Sequence, residues 1–228
     1  MSTEIDDFAN SIGRQIHSYS RAGLMTADEW TLISRAYLDH LGTIPLSTPE
    51  AEAVLADAAE AAAAAVSFTA YYPHERFHVF LDHVNFGMSY DLAAEADPAP
   101  ISARRWIDAL CLAILTDTFD RHGEAFYFTW EGMPEPDDLA TGLLSQVADD
   151  DEIELPADTA ASPGLQALHA LDAGDRPAFD AALAALLHHT VDPLPLLPLA
   201  LSALAYRAHQ WLPSPDNSRL PHALVTNS

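Results

Sequence analysis

His74, Glu75 and His78 fall in the order His-Glu-x-x-His. On a helix this spacing puts two imidazoles on one face to hold zinc and leaves the glutamate to activate a bound water, the chemistry of a metal-dependent hydrolase. The surrounding residues point elsewhere. Pro73 immediately precedes the motif, and Phe77, Val79 and Leu81, then Val84, Phe86 and Met88, recur with the alternation of a strand. In a strand His74 and His78 would share a face at roughly 13 Å, too far apart to bind one ion. His83 or Glu95 could nominally supply a third ligand, but Arg76 inside the motif would sit beside the dication. The reading adopted is therefore no catalytic residue, no metal and no cofactor, with a zinc hydrolase using His74, Glu75 and His78 as the alternative.

Other reactive arrangements are missing from the sequence. It contains no Gly-rich phosphate loop, no G-x-S-x-G elbow and no C-x-x-C pair. His188 and His189 are adjacent, so they do not share a helix face, and at the end of a helix their charge would interact favourably with its dipole. The single cysteine, Cys111, lies between Leu110 and Leu112 and is expected to be buried as a small hydrophobe.

Charge says more. Among 228 residues, 34 are acidic and 10 basic, giving a formal net charge of −24, and every basic residue is arginine. Such a surface repels nucleic acid and anionic membranes and attracts a cationic partner, chiefly by speeding encounter. No arginine occurs between Arg121 and Arg176, while carboxylates recur from Glu124 to Asp175. Asp137, Asp138, Asp149, Asp150, Asp151, Glu152 and Glu154 in that stretch are the candidate partner-binding residues. The same stretch is also compatible with a solvated loop and exposed helix faces.

The elements that must carry these residues are mostly helices. Thr26 with Glu29 forms a capping box, and Trp30, Ile33, Tyr37, Leu38 and Leu41 follow on one stripe as far as Gly42. Thr48-Pro49 opens a helix running through the alanines 61–65, a smooth surface for close packing. Ser102 starts a helix that turns Trp106, Leu110, Ala113 and Ile114 inward and is expected to stop at Gly123. Ser162-Pro163 and Asp175 with Pro177 start an antiparallel pair joined at Gly174. An Ala/Leu helix then runs from about Leu194 to Gln210. Residues 75–90 read as a small β-hairpin, and the acidic segment near 149–158 as a solvated loop and the strongest internal break. Trp30, Trp106 and Trp211 are expected in the core.

The fold expected is thus mostly α, a single multi-helical domain over residues 1–228 with a possible small hairpin. The N-terminus lacks the basic and apolar regions of a signal peptide, and the most apolar segment noted, Leu194 to Leu204, is too short for a bilayer and holds two prolines. A cytoplasmic protein without a transmembrane helix is expected.

Three stretches together resemble the immunity protein 49 family of bacterial polymorphic toxin systems. One runs from Ala58-Ala59-Glu60-Ala61 through Arg76-Phe77-His78-Val79, and a second is Arg105-Trp106-Ile107-Asp108-Ala109-Leu110-Cys111-Leu112-Ala113-Ile114-Leu115. The third comprises Leu165-Gln166-Ala167-Leu168, Ala173-Gly174-Asp175, Phe179, the run from Pro198 to Ala205, and Leu220-Pro221-His222-Ala223-Leu224. The resemblance implies a non-catalytic helical protein that neutralises a cognate toxin by stoichiometric occlusion. A basic surface on that toxin, as a nuclease would have, suits the charge. A further alternative is an acidic helical adaptor for another basic protein. Nucleic acid and membrane are not expected partners, and a monomer is favoured.

Overall fold

A computed structural model describes residues 2–93, 99–148, 153–157, 162–213 and 219–226, with the backbone alone for 2–6. Among these residues the architecture is mostly helical, with one antiparallel hairpin. The elements are α1 (Ser2–Ala22), α2 (Ala27–Leu41), α3 (Pro49–Tyr71), β1 (Phe77–Leu81), β2 (Phe86–Tyr90), α4 (Ala103–Leu115) and α5 (Phe119–Glu131). Then come α6 (Asp138–Leu144), α7 (Pro163–Asp172), α8 (Arg176–His189), α9 (Leu196–His209) and α10 (His222–Thr226). Buried side chains from Ile12 on α1 to Val225 on α10 belong to one continuous core.

Capping chemistry sets the starts of α2, α3, α4, α6 and α8. The Glu29 carboxylate accepts the Thr26 amide at 2.8 Å, and Thr48 Oγ1 accepts from the Ala51 amide at 3.2 Å. The side chains of Ser102, Asp137 and Asp175 likewise accept from Arg105, Leu139 and Ala178 amides. Gly174, at φ 66°, makes the left-handed turn between α7 and α8, which pack on each other. Gln210 takes the same left-handed conformation, φ 58°, to end α9.

Two helices organise the packing. α3 touches α2, α4, α5 and β1, and its alanines 61–65 are all buried. Alanine lets neighbouring backbones approach from several directions at once. α4 touches α3, α5, α6 and α9, and every residue from Ala109 to Leu115 is buried. Trp30 and Trp106 are fully buried, whereas Trp211 is half-buried and stacks on His209 at 4.4 Å.

Asp57 is the one charged side chain among the buried residues of α3, and it is 2 % exposed. Its carboxylate accepts the Tyr37 hydroxyl from α2 at 2.9 Å. It also accepts the amides of Asp82 and His83, in the turn between β1 and β2, at 2.9 and 3.0 Å. Burial raises the Asp57 pKa, and these hydrogen bonds act in the opposite direction. A second tie runs through Tyr90 on β2, whose hydroxyl accepts Trp30 Nε1 at 2.6 Å and donates to the Met25 carbonyl at 2.7 Å. The hairpin is thus pinned to α2 and α3 at both ends. Its inward face stacks Phe77 on Tyr90 at 4.4 Å, with Val79 opposite Met88 and Leu81 opposite Phe86.

Several expectations need correction. Gly123 does not stop the helix begun at Ser102: α4 ends at Leu115 and Gly123 lies inside α5. The break comes at Asp117, which adopts φ 54°, a conformation aspartate tolerates better than most residues. Arg207 on α9 fixes it by donating to the Ile114 carbonyl and pairing with Asp117 at 3.3 Å. Glycine suits position 123 because a Cβ there would come within 3.2 Å of the Phe119 ring. The acidic segment is not wholly solvated either, since Ile153 is buried and Leu155 packs against the core. Asp149 to Glu152 lie outside the described residues. By length and composition alone α3 would suffice to cross a membrane. Its most apolar stretch is 72 % buried within the fold, as in a core helix.

Replacing Asp57 by alanine leaves a hydroxyl and two amides without their acceptor, so urea unfolding is expected to register a loss of about 3 kcal/mol or more. A loss below about 1 kcal/mol would show the carboxylate to be dispensable. Burial pushes the Cys111 thiol up as well. A thiol reagent should therefore label Cys111 only on unfolding, and rapid native labelling would contradict its burial.

Candidate functional site

The His-Glu-x-x-His residues do not assemble the site their spacing suggests. His74 and Glu75 occupy the turn after α3, where both amides donate to the Tyr71 carbonyl at 2.7 and 2.8 Å. His78 lies on the outer face of β1 with Nδ1 3.0 Å from Ser89 Oγ, and Arg76 pairs with Asp91 at 3.3 Å. All four side chains are exposed, and no helix passes through them. His83 sits instead in the hairpin turn beside Asp57, while Glu95 lies outside the described residues. Among the described residues no group of three or more His, Cys, Asp or Glu side chains could hold a metal ion.

The described acidic candidates are on the surface. Asp137 caps α6, Asp138 occupies its first turn, and Glu154 lies in the segment 153–157. All three are exposed, and none forms an ion pair among the described residues. Asp137 also stands on the rim of a cleft that sequence reasoning did not find.

That cleft, about 560 Å³, opens between α2, α4, the start of α6 and the segment 190–198 leading into α9. Its volume falls in the ordinary range for small-molecule sites. Leu38, Ile101, Leu112, Leu139, Leu194 and Leu197 supply apolar lining. Arg35 and Asp39 on α2, Arg104, Arg105 and Asp108 on α4, and Asp137 and Asp192 supply charges of both signs, with the carboxylates in excess. Arg104 and Asp108 share a face of α4 through their i, i+4 spacing. Burial raises the Asp108 pKa, Arg104 and Arg35 pull it back, and Asp192 adds to the rise. Arg105 draws the α2 and α4 sides together by pairing with Asp28.

The other arginines are largely committed to structure. Arg219 donates to the carbonyls of Leu187, Thr190 and Asp192, closing the end of α8 and fixing the loop that carries Asp192. Arg121 pairs with Glu60 at 2.7 Å, joining α5 to α3, and Arg207 holds the end of α4. Arg176 donates to the Leu212 carbonyl at 3.1 Å. By contrast, Arg14, Arg21, Arg35 and Arg104 are exposed and reach no carboxylate within ion-pair distance among the described residues, and of these four side chains only Arg14 donates a hydrogen bond there, to the Asn10 carbonyl. The sequence signals available were weak: Arg104-Arg105 opens an otherwise apolar helix, and Arg35 interrupts α2 beside its buried stripe.

A second polar cluster joins α1 to α2. The Phe8 ring stacks on His40 at 3.7 Å, His40 Nε2 lies 3.7 Å from Glu50 Oε1, and the Tyr37 and His83 rings meet edge to face beside Asp57. Its geometry is that of a packing lock.

After dialysis against micromolar zinc, the protein and a variant carrying His74→Ala and His78→Ala should retain the same substoichiometric metal. One zinc per chain that disappears in the variant would restore the hydrolase alternative. No family model, curated protein or solved structure matches this chain.

Proposed function

We propose that this chain is a non-catalytic binding protein of the immunity type, which neutralises a cognate toxin by covering a basic surface on it. The observation that carries the reading is the net charge of −24 with no lysine, including the exposed carboxylates of Asp137, Asp138 and Glu154. The acidic run Asp149 to Glu152 belongs to the same stretch of chain. The resemblance to the immunity protein 49 family is the second support.

A field of this sign raises the encounter rate with a cationic protein and disfavours nucleic acid. A nuclease domain is a suitable target because it must present cations to phosphates, and an acidic protein seated there competes for the same contacts. Helices capped and cross-tied as described would keep such a surface preorganised, which limits the ordering cost of binding. Neutralisation then requires occupancy of the toxin's working surface and no chemistry from His74, Glu75 or His78.

Co-expression with the protein encoded beside it tests the reading. Growth rescue in step with formation of a complex is expected, whereas unrelieved toxicity without a complex would overturn it. Changing Asp149, Asp150 and Asp151 to Asn and Glu152 to Gln should slow association and flatten its salt dependence, as measured by stopped-flow mixing. An unchanged association rate would remove this run from the interface.

A further inference from the structure

We infer that the face built by the end of α3 and the outer side of α5 is a docking surface for an arginine-bearing segment of a partner protein, whose guanidinium groups lie on the rings of Tyr71 and Phe128 and pair with Glu75, Glu124 and Glu131. This deepens the toxin-binding reading, on which it rests for the partner's identity, by naming where that partner is held. A file of surface rings carries it. Phe77 lies 6.0 Å from Tyr71, Tyr71 meets Phe128 edge to face at 6.4 Å, and the Phe128 ring is 6.5 Å from Tyr127. Phe128 is 44 % exposed, and the other three rings are only partly covered. Contiguous aromatics supply the large, rigid contact area on which protein interfaces depend. The other exposed large apolar side chains form no such file: Phe80 covers Gly87 on the paired strand, and Leu24, Leu32, Leu92 and Val191 have no ring.

Charge complementarity fixes the kind of partner. Glu124, Phe128 and Glu131 recur at i, i+4 and i+7, so the ring stands between two carboxylates on one exposed face of α5. Glu75 is exposed in the turn after Tyr71. A guanidinium answers both features at once, its plane stacking on a ring while its N–H edge donates to a carboxylate alongside. The chain's own nearby cations do not fill this role. Arg121 and His122 are taken by Glu60, and Arg76 by Asp91. Glu75, Glu124 and Glu131 form no ion pair among the described residues. The face is also set before a partner arrives. The Tyr71 hydroxyl donates to Glu124 at 3.3 Å, and burial with the Glu124 charge pushes its pKa up to about 12, so it remains a donor. Arg121 with Glu60, and Thr129 Oγ1 donating to the Val66 carbonyl at 3.4 Å, hold α5 on α3, which limits the ordering cost of docking.

Calorimetric titration of the full chain at physiological ionic strength, with a peptide of alternating glycine and arginine and its lysine counterpart as probes, tests the face directly. Saturable binding of the arginine peptide is expected, at least about threefold tighter than the lysine peptide, and weakened at least about threefold by Phe128→Ala or Glu124→Gln. Phe80→Ala, an equally exposed ring on the hairpin, and Asp172→Asn, an exposed acid on α7, should leave the affinity unchanged within about twofold. Thermal melts check that each variant folds. Absence of saturable binding, equal affinity for the two peptides, or indifference to Phe128→Ala would each overturn the proposal. Co-expression separates it from the reading on which it rests. A complex with the neighbouring gene's product that is indifferent to Phe128→Ala would sink this face and leave the toxin reading standing, whereas arginine-peptide binding at this face with no such complex would sink the toxin reading alone.

Discussion

A buried carboxylate on the most alanine-rich helix sets the geometry of the N-terminal half. Alanine gives α3 the ability to be surrounded, but a smooth cylinder specifies neither rotation nor axial position for what packs on it. Asp57 supplies both. Its two oxygens meet one hydroxyl from α2 and two consecutive amides from the hairpin turn, so α2 and the hairpin are fixed against α3 at one point. A charge buried to this extent is tolerated only when its lone pairs are filled, and any displacement of either neighbour would leave an acceptor or a donor without a partner in a dry interior. Trp30, Tyr90 and the Met25 carbonyl repeat the logic at the other end of the hairpin.

The arginines do the equivalent work in the C-terminal half. Helix ends leave carbonyls without partners, and in a chain with no lysine and few glycines those carbonyls are met by guanidinium groups. Arg207 closes α4 and Arg219 closes α8. His209 contributes in the same way by donating Nε2 to the Leu171 carbonyl at the end of α7, at 2.9 Å. These contacts explain how scarce cations are distributed on so acidic a molecule: most sit where backbone oxygens or single carboxylates need them. Arg21, Arg35 and Arg104 are the exceptions among the described residues, and all three are exposed.

Much of the fold was legible because caps and periodicity are local. Thr26 with Glu29, Thr48-Pro49, Ser102 and Asp175 each announce a helix within four residues, and the alternation from Phe77 to Met88 announces the hairpin that dissolves the zinc motif. The break at Asp117 was not legible, since a left-handed aspartate is chosen only when Arg207 arrives from far along the chain to hold it. α1 carries a legible signal in Phe8, Ile12 and Ile16, which recur at helical spacing, although no capping residue marks where it begins. The cleft was invisible for a deeper reason. Its arginines, aspartates and leucines come from α2, α4 and the entry to α9, and no local pattern records that these segments meet. Asp57 did leave a trace, as one of the few acids in an apolar run, but its three donors could not be named from that run.

Binding without chemistry requires little beyond a rigid scaffold and a surface of the right sign. The long apolar core, the cross-tied helix ends and the dense negative charge are compatible with that mode of action. Native mass spectrometry of the chain co-expressed with its genomic neighbour, recorded as ionic strength is raised, tests the binding account most directly. The account predicts a 1:1 complex at low salt that gives way to free components as salt screens the opposed charges. The neighbour and this chain appearing only as separate species at low salt would contradict it.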